Sequence, residues 1–518
     1  MSFKITYSVL DADMSELHTA FDAALADVRS QLGVELPCWI GDEPSRSGEM
    51  MESYNPSRTT ELLAKAHSAT LADVDRAMTI AKRAQKEWAA TTWQHKVAVC
   101  NKAADFISAD SLRYAAIMSL EVGKNRMECL GDVEESADLL RYYAAQLETH
   151  KGYVTTLNKL SPNEDTRSVL KPFGVFVVIA PFNYPAALAA GMSGGALLGG
   201  NAVILKPSED APWCTELLYE SMAKAGFPTG LFQVLHGKGE TIGDALVKHK
   251  DTDGVVFTGS SAVGHSIFRY MTSKTVRPAF LEMGGKNPAI IAADADLDAA
   301  VEGTYRSVFG LSGQKCSACS RVYVHESLRD AYVDKMRAKV EKMIIGDPTR
   351  EEVFMGPVAV ADSVERFKKA SASAKADGAV LFGGELLTGG EFDGGYFVAP
   401  TMVEVPRDHW LEKTELFLPF ATVSTFTDID DAISRANDVD YGLTAGVYSA
   451  DKDTVNHFLD NIEAGCVYTN RPAGATTGAW PGVQAFCGWK ASGSTGKGGC
   501  GPYYVAQFMR EQSQTRVL

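Results

Sequence analysis

The chain has no run of eighteen apolar residues, so nothing in it reads as a membrane-crossing helix. Its opening, MSFKITYSVLDADMSELHTAF, has neither the apolar centre of a secretion signal nor the Arg/Ser-rich pattern of a transit segment. Blocks of basic residues are missing as well. Lys and Arg number 50 against 65 Asp and Glu, a formal charge of −15. A phosphate-binding surface needs concentrated cations, so this balance argues against a nucleic-acid partner. The nine cysteines are odd in number and irregularly spaced, which gives no disulfide framework. Thiols of that kind suit a reducing compartment, and a cytoplasmic location is expected. There is no GxGxxG, so the ordinary dinucleotide fingerprint is absent, and no tandem repeat of fixed period is visible.

What is present is an ordinary globular composition, 45% hydrophobic and 22% charged. A chain of 518 residues exceeds what one hydrophobic core supports, so two or more substructures are expected. Apolar side chains recur at helical spacing over 71–90, 96–120 and 127–147. From about Val169 the pattern changes to short, continuously apolar runs: Gly174 to Ala180, then near 202–205, 231–235, 254–257 and 288–291. Helical stretches such as 211–226, stopped by Gly226 and Pro228, separate them. This alternation predicts a parallel, helix-covered sheet, the usual host of a nucleotide. A second alternation after roughly residue 284 predicts a second α/β domain, with strands near 320–324, 378–382 and 421–426 and helices near 327–343, 361–376 and 429–437. Ala473 to Gly501 is rich in Gly, Ser and Thr and reads as loop.

Several short segments can carry chemistry. In Gly313-Gln-Lys-Cys316-Ser-Ala-Cys319, a thiol follows a glycine turn beside Lys315, a setting that can lower its pKa and favour a nucleophilic thiolate. A buried structural cysteine, or half of a metal or redox pair with Cys319, stays open, although no second CxxC or His cluster completes a metal site. Leu281-Glu282-Met-Gly-Gly-Lys-Asn places a carboxylate in an apolar run, where desolvation raises its pKa toward the range of a general base. An acid capping a turn is the alternative. Ala180-Pro181-Phe182-Asn183-Tyr-Pro follows the first buried strand, where open α/β sheets hold ligands and where an amide can donate to an oxyanion. Simple turn formation would use the same residues. Leu205-Lys206-Pro-Ser208-Glu209 suits ribose hydroxyls, and Phe257-Thr-Gly259-Ser260 with Gly264 would let a pyrophosphate reach backbone N–H groups.

PFNYP, KPSE, FTGSSAVG, LEMGGKN and GQKCS, in this order and at these intervals, resemble the aldehyde dehydrogenase superfamily from roughly residue 40 onward. The resemblance implies an α/β fold. A Rossmann-like NAD-binding domain would take 1–147 and 168–283, an α/β catalytic domain 284–470, and a small β oligomerisation flap 148–167 and 490–518. It implies Cys316 as nucleophile, Asn183 with the Cys316 N–H as oxyanion donors, and Glu282 as the base that activates water. NAD would contact Ala180, Pro181, Phe182, Lys206, Ser208, Glu209, Gly259, Ser260 and Gly264. Glu415 and Phe417 match the family's Glu-x-Phe on the nicotinamide ribose, although Leu418-Pro419 departs from the usual Gly-Pro. Glu209 would repel the 2′-phosphate of NADP, so NAD is the expected cofactor, with NADP possible through Lys206. No metal is expected, and a small aldehyde and further copies of the chain are the expected partners. Loss of Cys316, Asn183 or Glu282 would have marked a catalytically silent binding or structural relative, and all three are present.

Within the superfamily the sharper resemblance is to 1-pyrroline-5-carboxylate dehydrogenases, which oxidise glutamate γ-semialdehyde. Ser317, Thr477-Gly478-Ala479 and Lys497-Gly-Gly-Cys500-Gly-Pro resemble that group's carboxylate-anchoring segments. A hydroxyl and two backbone donors can hold a small anion without an arginine. The resemblance places Phe182 and Phe486 on the substrate stem and matches Glu135 and Lys315 to an acid–base pair. Ala485, Cys487 and Cys500 depart from the group's pattern, and the loop from Asn470 to Gln484 is long. Another small aliphatic or aromatic aldehyde is therefore the alternative substrate.

Overall fold

The computed structural model describes residues 14–472 and 479–517. Helix Leu71–Ala89 begins at a capping box in which the Thr70 hydroxyl accepts from Asp73 N–H while the Asp73 carboxylate reaches back to Thr70 N–H. The periodicity over 96–120 resolves into two helices, Trp93–Ala109 and Ser111–Val122, because Asp110 leaves helical dihedrals and turns the chain between them. Helix Arg126–Thr149 follows, started by the Asn125 side chain on Glu128 N–H. Helix Ser15–Ser30 and five short strands within residues 34–67 precede all of these. Those strands are too brief or too polar to show a period in the sequence.

Seven strands form the first sheet, in the order Ala279–Met283, Gly254–Gly259, Val175–Ile179, Ala202–Lys206, Phe232–Val234, Cys38–Ile40, Glu43–Ser45. The first five are mutually parallel, and the two short N-terminal strands extend the edge antiparallel. Val175–Ile179 is the hinge of the order. Its sequence successor Ala202–Lys206 lies on one side and Gly254–Gly259 on the other. Ile179 is level with Lys206 and with Phe257, so the carboxyl ends of three strands open onto one crevice, the switch point of an open α/β sheet. The second sheet runs Ala379–Phe382, Thr401–Glu404, Phe420–Phe426, Cys319–His325, Asn287–Ile291, Thr444–Tyr448, Cys466–Thr469, parallel except at the first pair.

A third sheet joins Val154–Thr156, Glu164–Pro172 and Met509–Val517, with nine residues of the last strand in antiparallel register and most of its side chains exposed. This moves the boundaries expected for the flap. The middle strand runs past 167 to Pro172. Most of 490–508 serves elsewhere: Trp489–Lys490 pairs with Tyr441–Gly442, and Tyr504–Gln507 packs on helices Arg126–Thr149 and Ala187–Leu198. The 479–501 segment is irregular, as its composition suggests, yet Ser492 and Cys500 within it are buried.

Helix Ala187–Leu198 approaches its neighbours closely through small residues. A Cβ on Gly194 would sit 2.4 Å from Leu140 Cδ2, and one on Gly195 2.6 Å from the Phe508 ring. Gly194→Val should therefore overpack this layer and destabilise the fold by about 1–3 kcal/mol, read as a lower midpoint in a denaturant titration with unchanged slope.

Candidate active site

A cavity of about 120 Å³ lies where the two sheets meet. Its wall includes Cys316, Ser317, Glu282, Ala479, Phe486 and Glu135, all singled out from the sequence, together with Tyr184, Leu139, Leu188, Phe280 and Tyr504. Two expected lining residues point away from it. Lys315 is buried with its ammonium 2.8 Å from Glu128 on helix Arg126–Thr149. Glu128 stands two turns before Glu135 on the same helix face, so the pair expected with Glu135 forms with Glu128 instead. Phe182 places its ring edge-on to Phe417, 5.9 Å between centroids, and Tyr184 takes the place on the cavity wall.

Cys316 sits after a strained turn. Leu311 and Ser312 have φ of 50° and 53°, and Gly313 follows at 69° with no room for a Cβ against the Leu418 carbonyl. Asn287 fixes the next stretch: its Nδ2 donates to the carbonyls of Cys316 at 2.7 Å and Ala318 at 2.9 Å, and its Oδ1 accepts from Thr444 N–H. Burial pushes the Cys316 thiol well up from its ordinary value, and the carboxylates of Glu415 and Glu282 add to the effect. Lys315, expected to lower the thiol pKa, turns its ammonium to Glu128 instead. Cys319 belongs to the core of the second domain, where burial pushes its thiol up to about 12.

Glu282 projects from strand Ala279–Met283, and burial raises its carboxyl to about 8 against the opposing effect of one hydrogen bond from Gly488 N–H, 3.0 Å. Asn183 is buried behind the Cys316 turn, its Nδ2 donating to the Gln314 carbonyl at 2.9 Å. Glu415 accepts from Gly285 N–H at 3.0 Å, and burial raises it to about 7.

The nucleotide crevice carries the other expected group. Ala180 N–H bonds the Lys206 carbonyl, which ties the strand ends together. The buried Lys206 ammonium lies 2.8 Å from Glu209, whose carboxyl burial would raise but which Lys206 and Gly239 N–H hold below its usual value. Ser208 turns its hydroxyl to Asp210. Gly259 closes its strand, Ser260 caps helix Ser261–Thr272 without using its hydroxyl as a cap, and a Cβ on Gly264 would lie 2.4 Å from Met283 Sδ. Thr477 and Gly478 lie outside the described residues.

The profile of the aldehyde dehydrogenase family matches residues 43–513. The chain belongs to that family. Among its relatives, the 1-pyrroline-5-carboxylate dehydrogenase of Oceanobacillus iheyensis is 34% identical over 513 residues, covering 98% of this chain and 97% of that protein. The NAD-bound crystal structure of 1-pyrroline-5-carboxylate dehydrogenase from Thermus superposes with a TM-score of 0.93 at 33% identity, covering 99% of this chain and 98% of that one. Proline utilization A from Bdellovibrio bacteriovorus gives a TM-score of 0.92 at 35% identity, with 96% of this chain spanning about half, 52%, of that longer one.

In this aldehyde dehydrogenase, motif matching missed the residues that hold the expected ones in place. Asn287 stands inside the recognised LEMGGKN, but its tie to Cys316 crosses from one strand to the next and leaves no local signal. Gly488 acts through its N–H alone. If burial sets the thiol, alkylation of the free enzyme by iodoacetamide should be slow at pH 7 and rise about tenfold per pH unit through pH 9. Lys315→Met should leave that profile unchanged, and a flattened or shifted profile would show that Lys315 tunes the thiol after all.

Proposed function

We propose that the protein oxidises L-glutamate γ-semialdehyde to L-glutamate with NAD, a step of proline breakdown in the cytoplasm. One observation carries the chemistry: Cys316 and Glu282 line the same cavity, with the Asn183 amide on the turn that presents the thiol. The Cys316 thiol gives its proton to solvent, the thiolate attacks the aldehyde carbon to form the thiohemiacetal anion, and the Cys316 N–H and Asn183 Nδ2 donate to its oxyanion. Once that carbon has lost hydride, a thioester remains on Cys316. Glu282, made a stronger base by burial, takes a proton from water as the water attacks the thioester, and the acid leaves with the thiol restored.

The residues present fit a dinucleotide. The crowded Gly264 seat brings helix Ser261–Thr272 close to its strand, with N–H groups free at the end a pyrophosphate would meet. Lys206 and Glu209 suit the adenosine ribose, and Glu209 disfavours a 2′-phosphate. Glu415 and Phe417 suit the other ribose. Bound there, NAD supplies the hydride acceptor.

For the substrate, Ser317 beside the nucleophile and the backbone at 478–479 would receive the carboxylate, while Phe486 covers the stem. Lys497 adds one cation to the described part of the cavity wall. The mainly aromatic and aliphatic lining, with Ala485, Cys487 and Cys500 in the anchoring region, favours a second reading in which another small aliphatic or aromatic aldehyde is preferred. The exposed sheet of Val154–Thr156, Glu164–Pro172 and Met509–Val517 supports assembly of copies through that surface.

Glutamate semialdehyde should be used with higher kcat/KM than propanal, succinic semialdehyde or benzaldehyde, and Ser317→Ala should raise KM for the semialdehyde more than for propanal. A preference for benzaldehyde would decide for the second reading. Glu282 must be ionised to act, so turnover limited by thioester hydrolysis should climb with pH and level off above about 8. Glu282→Gln should keep a first-turnover burst of NADH, lower steady-state turnover by about 10²–10⁴ and abolish the climb. Loss of the burst itself would place Glu282 at an earlier step.

A further inference from the structure

Asn183 has an elaborate support that the chemistry above does not use. Lys124 is fully buried between helices Ser111–Val122 and Arg126–Thr149, and its ammonium makes three contacts. It lies 2.8 Å from Asp132, donates at 3.0 Å to the backbone carbonyl of Asn183, and sits 3.7 Å from the centre of the Tyr184 ring. Asp132, equally buried, uses its second oxygen to accept from Ala187 N–H at 2.7 Å, in the first turn of helix Ala187–Leu198. One ion pair thus grips residues 183, 184 and 187. That stretch links the strand Val175–Ile179 to its helix and carries both the buried amide and a wall of the aldehyde cavity.

A buried ion pair contributes little to stability in itself, because desolvation offsets most of the attraction. Well-packed apolar residues would do as well for the fold. What the pair adds is direction. A single ammonium, held by Asp132, fixes where the Asn183 carbonyl points and therefore how the side chain leaves the backbone. The other end of Asn183 is already tied to the Gln314 carbonyl, two residues before Cys316.

We propose that Lys124 and Asp132 are positioning residues for the oxyanion donor, holding the Asn183 amide aligned with Cys316 through the backbone of 183–187. This rests on Asn183 being that donor. Lys124→Met alone would strand a buried carboxylate and risk the fold. Lys124→Met/Asp132→Asn removes both charges while keeping an acceptor for Ala187 N–H. Its NADH burst rate should fall about tenfold or more, the cost of a displaced oxyanion donor, with KM for NAD unchanged. Positioning through Asn183 makes the losses non-additive. In an Asn183→Ala background, the same pair of substitutions should cost less than about twofold, within the error of such cycles.

An equal fold-loss in both backgrounds would overturn the proposal, because the pair would then act on the fold and not on Asn183. So would an undiminished burst in the parent background. Asn183→Ala as fast as the parent would remove the oxyanion reading and this proposal with it, whereas the additive outcome removes this proposal alone. If the double replacement does not fold, Lys124→Arg, which keeps the charge but alters the donor geometry, supports the same cycle.

Discussion

Desolvation governs this site. In the proposed mechanism Cys316 and Glu282 both have to ionise, and both occupy a cavity walled mainly by aromatic and aliphatic side chains. Two adjacent negative charges in such a place are unfavourable twice over, once from lost hydration and once from each other. Among the described residues of the cavity wall Lys497 is the one cation, and no ammonium is paired with either group. Glu282 accepts from one backbone N–H, Lys315 is engaged by Glu128, and the amide of Asn183, tied to the Gln314 carbonyl, is the donor proposed for the charge that grows on a substrate oxygen. At rest the thiol and the acid are both held toward their neutral forms, and charge appears only as chemistry proceeds.

That arrangement draws on both sheets. The crevice at the strand ends, Glu282 on Ala279–Met283 and Asn183 after Val175–Ile179 come from the first sheet, while Cys316 precedes the strand Cys319–His325 of the second. Ser492, whose hydroxyl donates to the Gly284 carbonyl and accepts from Gly442 N–H, ties the two parts together, while Asn287 fixes the Cys316 stretch within the second sheet. Glu282 itself bridges to Gly493. The site is therefore a product of assembly, with each chemical group delivered by an element whose own packing is unremarkable.

Much of this was legible in the residues. The runs at Val175–Ile179, Ala202–Lys206 and Gly254–Gly259 read as buried strands because parallel strands are apolar on both faces, and the motifs that follow them sit at strand ends as expected. Desolvation of Glu282 followed from its apolar neighbours. The thiol was misjudged, since adjacency in sequence suggested that Lys315 would influence Cys316, whereas a side chain answers to what it meets in space. The break at Asp110 and the three-residue strands of 34–45 escaped because periodicity needs length, and the longer Arg58–His67 because its polar residues do not alternate with apolar ones. Lys124, Asp132, Asn287 and Gly488 escaped for a different reason: the first three act on backbone groups of distant residues and Gly488 through its own N–H on the distant Glu282 carboxylate, and such contacts leave no pattern along the chain.

The segment 479–507 supplies the last walls of the cavity, 163 to 191 residues after the thiol it encloses. On a ribosome adding roughly 5–20 residues per second, that interval lasts on the order of ten seconds or more. During it, the first sheet and much of the second can form around a cysteine that still faces solvent. The thiol is then in its least perturbed state, more easily ionised and more open to oxidants than at any later time in the life of the folded protein. Closing the cavity therefore ends a period of chemical vulnerability as well as building a catalyst.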